Sequence, residues 1–454
     1  MNRQRLRRIG SFLTAAAFSL TLTGCSVPRI IGSVDTLLTP PRLTDDQNDI
    51  YDALSAHLSG DSMHLVYPQK GENLSAFIFC NLDADPSDEA VVFYQQTTSS
   101  TAAAPISMAV LDLVTGSWQV VSETELEGSA VEDVTLLSAD GAQLLAVGLS
   151  YAGENGSSLL DIFSLQGDGM QRISSKAYQA KALGDLTGEG NDDLLLIYTQ
   201  EDSEGLAEVQ AGLFRWDLSA GDSADPYLLV GNCKVNPEMT RYQQLSVTAE
   251  SDGSTLYLDG YRGNMMITEV LSCTMCGGEI QLINRTWSEG TITDYPQRLS
   301  LTSMDADGDG VIEIPGQTML PGYTEEDAEI LYLTQWYHRV GRRFVPQYAA
   351  YVNSLLNYQF IFPEDWVDHV SAYRDSSRNE VIFYEWKKGG APADSALFTL
   401  RAVSTSDWRA GKVSSEYQLV ASRGQIVFLA RAADSGSKYA LTIEEIRQQF
   451  CDLG

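Results

Sequence analysis

The chain has 454 residues, enough for two or three domains at ~150 residues each. Its 44% hydrophobic and 20% charged residues are the usage of a globular protein, which rules out a disordered polymer and a multi-span membrane protein. Thirty Lys and Arg stand against 61 Asp and Glu, a formal charge of -31, so nucleic acid is not an expected partner and divalent cations suit the surface better.

Residues 1–24 carry Arg3, Arg5, Arg7 and Arg8 with no acid, then an apolar run from Ile9 to Leu22 that is too short to span a bilayer as a stable helix. This pattern predicts a secretion signal. Its end, Leu22-Thr23-Gly24-Cys25, resembles the lipobox of bacterial lipoproteins, in which the cysteine is diacylated and becomes the new N-terminus. The resemblance implies lipidation at Cys25, attachment to the membrane and an address on the outer face of the cell membrane. Two acyl chains suffice for stable anchoring where one is marginal. Without the signal, 26 basic residues would face 61 acidic ones. Residues 25–43, closing on Pro40-Pro41, read as a tether that reaches at most about 60 Å at ~3.3–3.6 Å per residue. In the lead-in, residues 44–72, Thr44 and Gln47 have capping-box spacing ahead of Ile50, Tyr51 and Leu54, which predicts a short helix.

From 73 to about 355 the chain reads as short β runs, such as Ala90–Tyr94 and Leu194–Tyr198, with turn signals every ten or so residues. Gly-bearing turns recur at Gly116, Gly169, Gly221, Gly277 and Gly341, each between two apolar strands, at intervals of 53, 52, 56 and 64 residues. A second register runs half a repeat out of phase. Its turns are acidic at 81–89, 185–193 and 305–313, and worn down at Ser138–Gly141 and Ser251–Gly253. Five units of about four strands have the size of β-propeller blades, which bury their faces only by stacking. The expected fold class is therefore mainly β: a propeller of about five four-stranded blades, with room for further degenerate blades, followed by a small α+β domain. A pair of β-sandwiches is the alternative.

Calcium takes six to eight oxygens, and a tight loop supplies them when carboxylates alternate with turn formers. Positions 1, 3, 5 and 9 with the carbonyl of position 7 fit all three acidic turns. In the third turn these are Asp305, Asp307, Asp309 and Glu313 with Val311, and Gly310 is free to take positive φ. The second offers Asp185, Thr187, Glu189 and Asp193 with Asn191, and has one carboxylate fewer. The first offers Asn81, Asp83, Asp85 and Glu89 with Ser87, but Pro86 stands where glycine is expected. An EF-hand would need an acid at position 12, which is Gly316 in the third turn. The pattern resembles the calcium loops of FG-GAP or VCBS repeats in integrin-α-like propellers, and that resemblance implies structural calcium. The competing reading is hydrated Asx-rich turns that hold nothing.

From about 356 the repeat stops. Strands at Gln359–Phe362, Val381–Trp386, Leu397–Val403 and Ile426–Leu429 are expected, then a helix over Ile443–Phe450 opened by a Thr442/Glu445 capping box. Residues 358–366 look like a small domain that recurs in lipoproteins of clostridial-type bacteria. Trp366, Trp386 and Trp408 are candidates for a ligand groove or for the core.

Catalytic signatures are sparse. Cys273-Thr-Met-Cys276 has the spacing of a thiol redox pair, but it leads into the Gly277 turn with no helix pattern after it. His57, His64, His338 and His369 show no metal spacing, and HExxH and GxSxG are absent. The lipobox and repeat resemblances, with catalytic motifs so sparse, imply an anchored, non-catalytic binding or scaffold protein with a protein or glycan ligand. The alternatives are a glycan-acting hydrolase using the propeller mouth, for which two carboxylates would suffice, and thiol redox through Cys273 and Cys276.

Overall fold

The structure, a computed structural model, describes residues 43–453 except 60–61, 84, 97–103, 152–157, 168, 202–203, 218–224, 252, 278, 287–294, 342 and 390–391. The signal, Cys25, most of the tether and the Gly221 turn lie outside the described residues. The chain divides into two units, Met1–Asp52 and Ala53–Gly454. α1 (Asp45–His57), which begins in the first and runs past its end, opens on the expected capping box: the Gln47 amide donates to Thr44 Oγ1 at 3.3 Å, and the Thr44 amide donates to Gln47 Oε1 at 3.1 Å.

The second unit opens with four antiparallel sheets in succession. In blade one, β1 (Met63–Leu65) and β2 (Phe77–Cys80) share one edge of β3 (Glu89–Gln96), followed by β4 (Ile106–Val114) and β5 (Ser117–Leu126). Blade two is a plain meander of β6 (Ala130–Ala139), β7 (Ala142–Ser150), β8 (Ser158–Gln166) and β9 (Gly169–Tyr178). Blade three repeats it with β10 (Ala180–Gly184), β11 (Asp193–Glu201), β12 (Ala207–Trp216) and β13 (Tyr227–Lys234). Blade four consists of β14 (Met239–Glu250), β15 (Gly253–Arg262), β16 (Met265–Cys276) and β17 (Glu279–Asn284).

A blade cannot bury both faces alone, so its middle strands show what covers it. In β3 every residue from Glu89 to Tyr94 is buried, and β7 and β11 carry similar runs, the mark of strands sandwiched between neighbours. One apolar cluster joins blades one and two through Val91, Phe93, Val134 and Val147. Others join two to three through Leu144, Ile162 and Leu194, and three to four through Leu195, Leu213, Leu256 and Ile267. First strands adjoin, β6 to β10 and β10 to β14, and last strands adjoin, β5 to β9 and β13 to β17. This is the blade stack of a β-propeller.

The fifth blade departs from the pattern. Its first strand shrinks to a single bridge, Met304 to Glu313, before β18 (Ile314–Met319), β19 (Tyr332–Val340) and β20 (Arg343–Asn353). The segment that replaces the strand is held by a buried ion pair, Arg298 with Asp259, into which the Ser303 amide and hydroxyl and the Thr268 hydroxyl also donate. β21 (Tyr358–Ile361) then extends this sheet beyond β20. The last sheet comprises β22 (Val370–Asp375), β23 (Glu380–Glu385), β24 (Ala396–Ser404), β25 (Gln418–Arg423) and β26 (Ile426–Ala432), with α2 (Thr405–Arg409) after β24. α3 (Ile443–Gln449) begins at the capping box of Thr442 and Glu445, and β27 (Phe450–Asp452) returns to pair with β21. The expected division at 356 thus runs through the fifth sheet. An aromatic core containing Phe360, Trp366, Phe383 and Phe398 joins that sheet to the last one. Trp366 belongs to this core while Trp408 packs in a separate cluster, so the two do not line one groove.

Candidate functional site: the acidic turns and the inner cavity

The two turn registers keep their places in the blades. Gly116, Gly169, Gly277 and Gly341 sit between third and fourth strands, counting the Met304 bridge as the first strand of blade five. All five turns of the acidic register sit between first and second strands.

In the third acidic turn, Gly308 and Gly310 take φ of +83° and +87°, as a loop wrapped around its own carboxylates requires. Asp305 accepts the amides of Gly308 at 2.7 Å and Gly310 at 2.9 Å, and Asp309 accepts the Val311 amide at 2.8 Å. One oxygen each of Asp305, Asp307 and Glu313 lie within 4.8 Å of one another. A second group, Asp309, Glu313 and His338, shares Glu313. Glu313 is fully buried; it accepts the Ala306 amide at 2.7 Å and lies 2.6 Å from His338 Nε2. Burial pushes its carboxyl above the usual range, opposed by those two hydrogen bonds.

The second turn has the same backbone and a different filling. Asp185 accepts the amides of Glu189 and Gly190, both at 2.9 Å, and Gly188 and Gly190 again have positive φ. Here, however, the guanidinium of Arg215 pairs with Glu189 and lies 3.4 Å from Asp193. Asp193 is buried, takes both the amide and the hydroxyl of Thr187, and has its pKa raised by burial to about 6. Asn191 and Asp192 face blade two, accepting the amides of Asp140 at 2.8 Å and Ser138 at 2.7 Å. Among the described residues this turn gathers no group of carboxylates at ligand spacing.

In the first turn, Asp83 and Asp85 meet a residue from outside the loop, Asp112 of β4, with oxygens within 4.8 Å. Asn81 donates its amide to the Asp85 carbonyl at 2.6 Å, and the Ser87 amide donates to Asp85. Glu89 is fully buried; its Oε2 takes the Leu82 amide, and Oε1 has no hydrogen-bond partner among the described residues. Burial raises its pKa, and Asp83 and Asp112 add to the shift.

Asp112, Arg215 and His338 are equivalent residues. Each lies on the third strand, across from the ninth loop position, because Ala90 pairs with Leu111, Leu194 with Phe214, and Ile314 with Tyr337. Sequence reading missed all three. They precede the Gly turns by four, six and three residues, so no constant offset marks them.

A second polar site lies among the inner strands of blades two to four, a cavity of about 500 Å3 lined by Glu132, Asp133, Tyr178, Lys181 and Gln244, with Lys70 at its edge. Lys181 Nζ donates to both Asp133 oxygens at 2.7 and 2.6 Å, and Lys70 lies 3.1 Å from Glu132. Burial raises the Glu132 carboxyl, but hydrogen bonds from Tyr178 and Ser158 and the Lys70 charge outweigh it and hold the pKa below the usual range.

The described thiols are not activated as nucleophiles. Cys273 and Cys276 both lie within β16, a strand rather than the start of a helix. Cys273 is buried in the core and its pKa is pushed up to about 11; Cys80 and Cys233 go to about 12, all chiefly by burial. Each is far from the thiolate that attack requires.

No family model and no curated protein matches the chain. Among solved structures, a hypothetical selenium-binding protein from Sulfolobus tokodaii is similar at 11% identity and TM-score 0.23, over 48% of this chain and 57% of that one. The periplasmic gluconolactonase of Pseudomonas aeruginosa aligns at 8% identity and TM-score 0.27, over 70% and 83%. An exo-beta-1,3-galactanase from Clostridium thermocellum aligns at 11% and 0.23, over 83% and 88%. At these scores the likenesses carry no argument about chemistry. Among the described residues no helix is long and apolar enough to cross a membrane.

Proposed function

We propose that the chain is a non-catalytic binding or scaffold protein, anchored by lipid at Cys25 on the outer face of the cell membrane, with calcium clipping the first and third acidic turns. The observation that carries the calcium reading is the convergence of Asp305, Asp307 and Asp309 on a fully buried Glu313, the last residue before β18. A buried carboxylate among other acids is costly until a cation joins it. All-oxygen donors suit calcium, and the first turn offers the same chemistry with Asp83, Asp85, Asp112 and the unpartnered Glu89 Oε1. An ion there would tie a blade's first turn to its third strand and stabilise the folded state by mass action.

The glycan-hydrolase reading is less well supported. A retaining or inverting pair needs one carboxyl held protonated, whereas Glu132 is held below the usual range and Asp133 is paired with Lys181. The test of the calcium reading is thermal melting of Asp305→Ala against the parent. The variant should melt lower in millimolar calcium and change little in chelator; equal losses in both would overturn calcium at this turn. Incorporation of labelled palmitate that disappears in Cys25→Ser checks the anchor.

A further inference from the structure

We propose that the cavity among the inner strands is a binding site for an uncharged polyhydroxylated ligand, a mono- or disaccharide. This goes beyond the calcium reading, since none of the residues involved belongs to an acidic turn. The first support is charge. On a chain of -31 the cavity is locally balanced, with Lys70 and Lys181 against Glu132 and Asp133, so its field selects neither anion nor cation. A zwitterion would have to part ion pairs already made, and a hydroxyl need not: it can both donate to a carboxylate and accept from an ammonium while the pairs stay intact.

The second support is preorganisation. The side chains of Lys181 and Asp133 are only 9% and 12% exposed, and Tyr178 is buried with its hydroxyl donating to Glu132 at 2.7 Å and accepting from Lys181 at 3.0 Å. A buried ionic network of this kind stabilises less than apolar packing of the same volume would, so its position at the floor of a cavity calls for a role beyond stability. The backbone also makes room for it. A Cβ at Gly148 would lie 2.7 Å from Asp133 Oδ1, 2.8 Å from the Tyr178 hydroxyl and 3.0 Å from Lys181 Nζ. Around this floor stand Gln244, Thr135 and Ser158, amide and hydroxyl groups that match a sugar's edge, and the cavity is of the size small-ligand clefts have.

The test is ligand-observed NMR and calorimetry on the full chain in detergent, with glucose, galactose, N-acetylglucosamine, maltose and cellobiose as probes and glutamate, betaine and phosphate as charged comparisons. Lys70→Met and Gln244→Ala, both at exposed positions, keep the fold, checked by melting. The expected result is saturable binding of at least one saccharide at millimolar concentration or below, weakened at least fivefold by each variant, with no binding of the charged probes. No saccharide binding, binding unaffected by the variants, or preference for a charged probe would each overturn the proposal.

Discussion

Replacing Arg215 with alanine turns the second acidic turn into a calcium-dependent one if the guanidinium occupies the place of an ion. In the parent the guanidinium pairs with Glu189 and Asp193, and Asp193 is 1% exposed while Arg215 is 22% exposed. Removing one partner of a fully buried pair costs about 3–5 kcal/mol. Arg215 is partly solvated and Asp193 keeps both Thr187 donors, so a loss of about 2 kcal/mol in chelator is expected. Calcium offsets the effect. With a dissociation constant of about 0.1 mM, typical of extracellular modules, 10 mM calcium stabilises by about 2.7 kcal/mol, enough to cancel the loss. At about 2.1 cal/mol/K of unfolding entropy per residue, a cooperative unit of roughly 400 residues shifts by about 1 °C per kcal/mol. Calorimetry should therefore show Arg215→Ala melting about 2–3 °C below the parent in chelator and within about 1 °C of it in 10 mM calcium. The comparison cancels whatever calcium does at the other turns. An unchanged melting temperature in chelator, or the same calcium increment in variant and parent, would refute the reasoning.

Two further predictions concern the core. Glu269 is fully buried with Oε2 taking the Asn236 amide and the Asn284 side chain, and burial raises its pKa from 4.5 to about 7. Its folded pKa exceeds the unfolded one, so its stabilisation is complete below pH 4.5 and is lost as pH rises through about 7, by about 3 kcal/mol. Glu269→Gln should thus be more stable than the parent by about 2 kcal/mol at pH 8 and no more stable at pH 4.5; urea unfolding giving one difference at both pH values would contradict this. Gly253, at φ +143°, has the Cys273 carbonyl oxygen 2.0 Å from where a Cβ would stand, and its pairing with Thr274 blocks retreat. Gly253→Ala should cost about 3 kcal/mol or more, against about 1 kcal/mol for Gly116→Ala, where positive φ is the only strain; equal urea midpoints for the two variants would show that the close approach does not matter.

The blades were legible because some middle strands are buried on both faces and are written as apolar runs, as in Ala90–Tyr94 and Leu194–Tyr198. The turns were legible because hairpins need residues that tolerate positive φ, as at Gly116 and Gly277, and α3 because a capping box is local chemistry. The first strand of blade five was not legible, since a strand reduced to the Met304 bridge leaves no pattern, and its anchor, Arg298 with Asp259, joins residues 39 apart. The return of β27 to β21 is equally non-local.

The same distinction decides how the acidic turns are read. Spacing along a loop identifies the carboxylates the loop supplies, and by that measure the second turn, with two glycines, looked better built than the first, with Pro86. What each turn can hold depends also on the residue facing position nine, and that residue arrives from the third strand, which pairs with the second. Arg215 gives the second turn a permanent cation, Asp112 gives the first a further carboxylate, and His338 gives the third a titratable neighbour. The three loops thereby differ in what they would present to an ion through one residue each, on a third strand whose burial pattern records none of it. The local motif predicts the cradle. The pairing register decides its occupant.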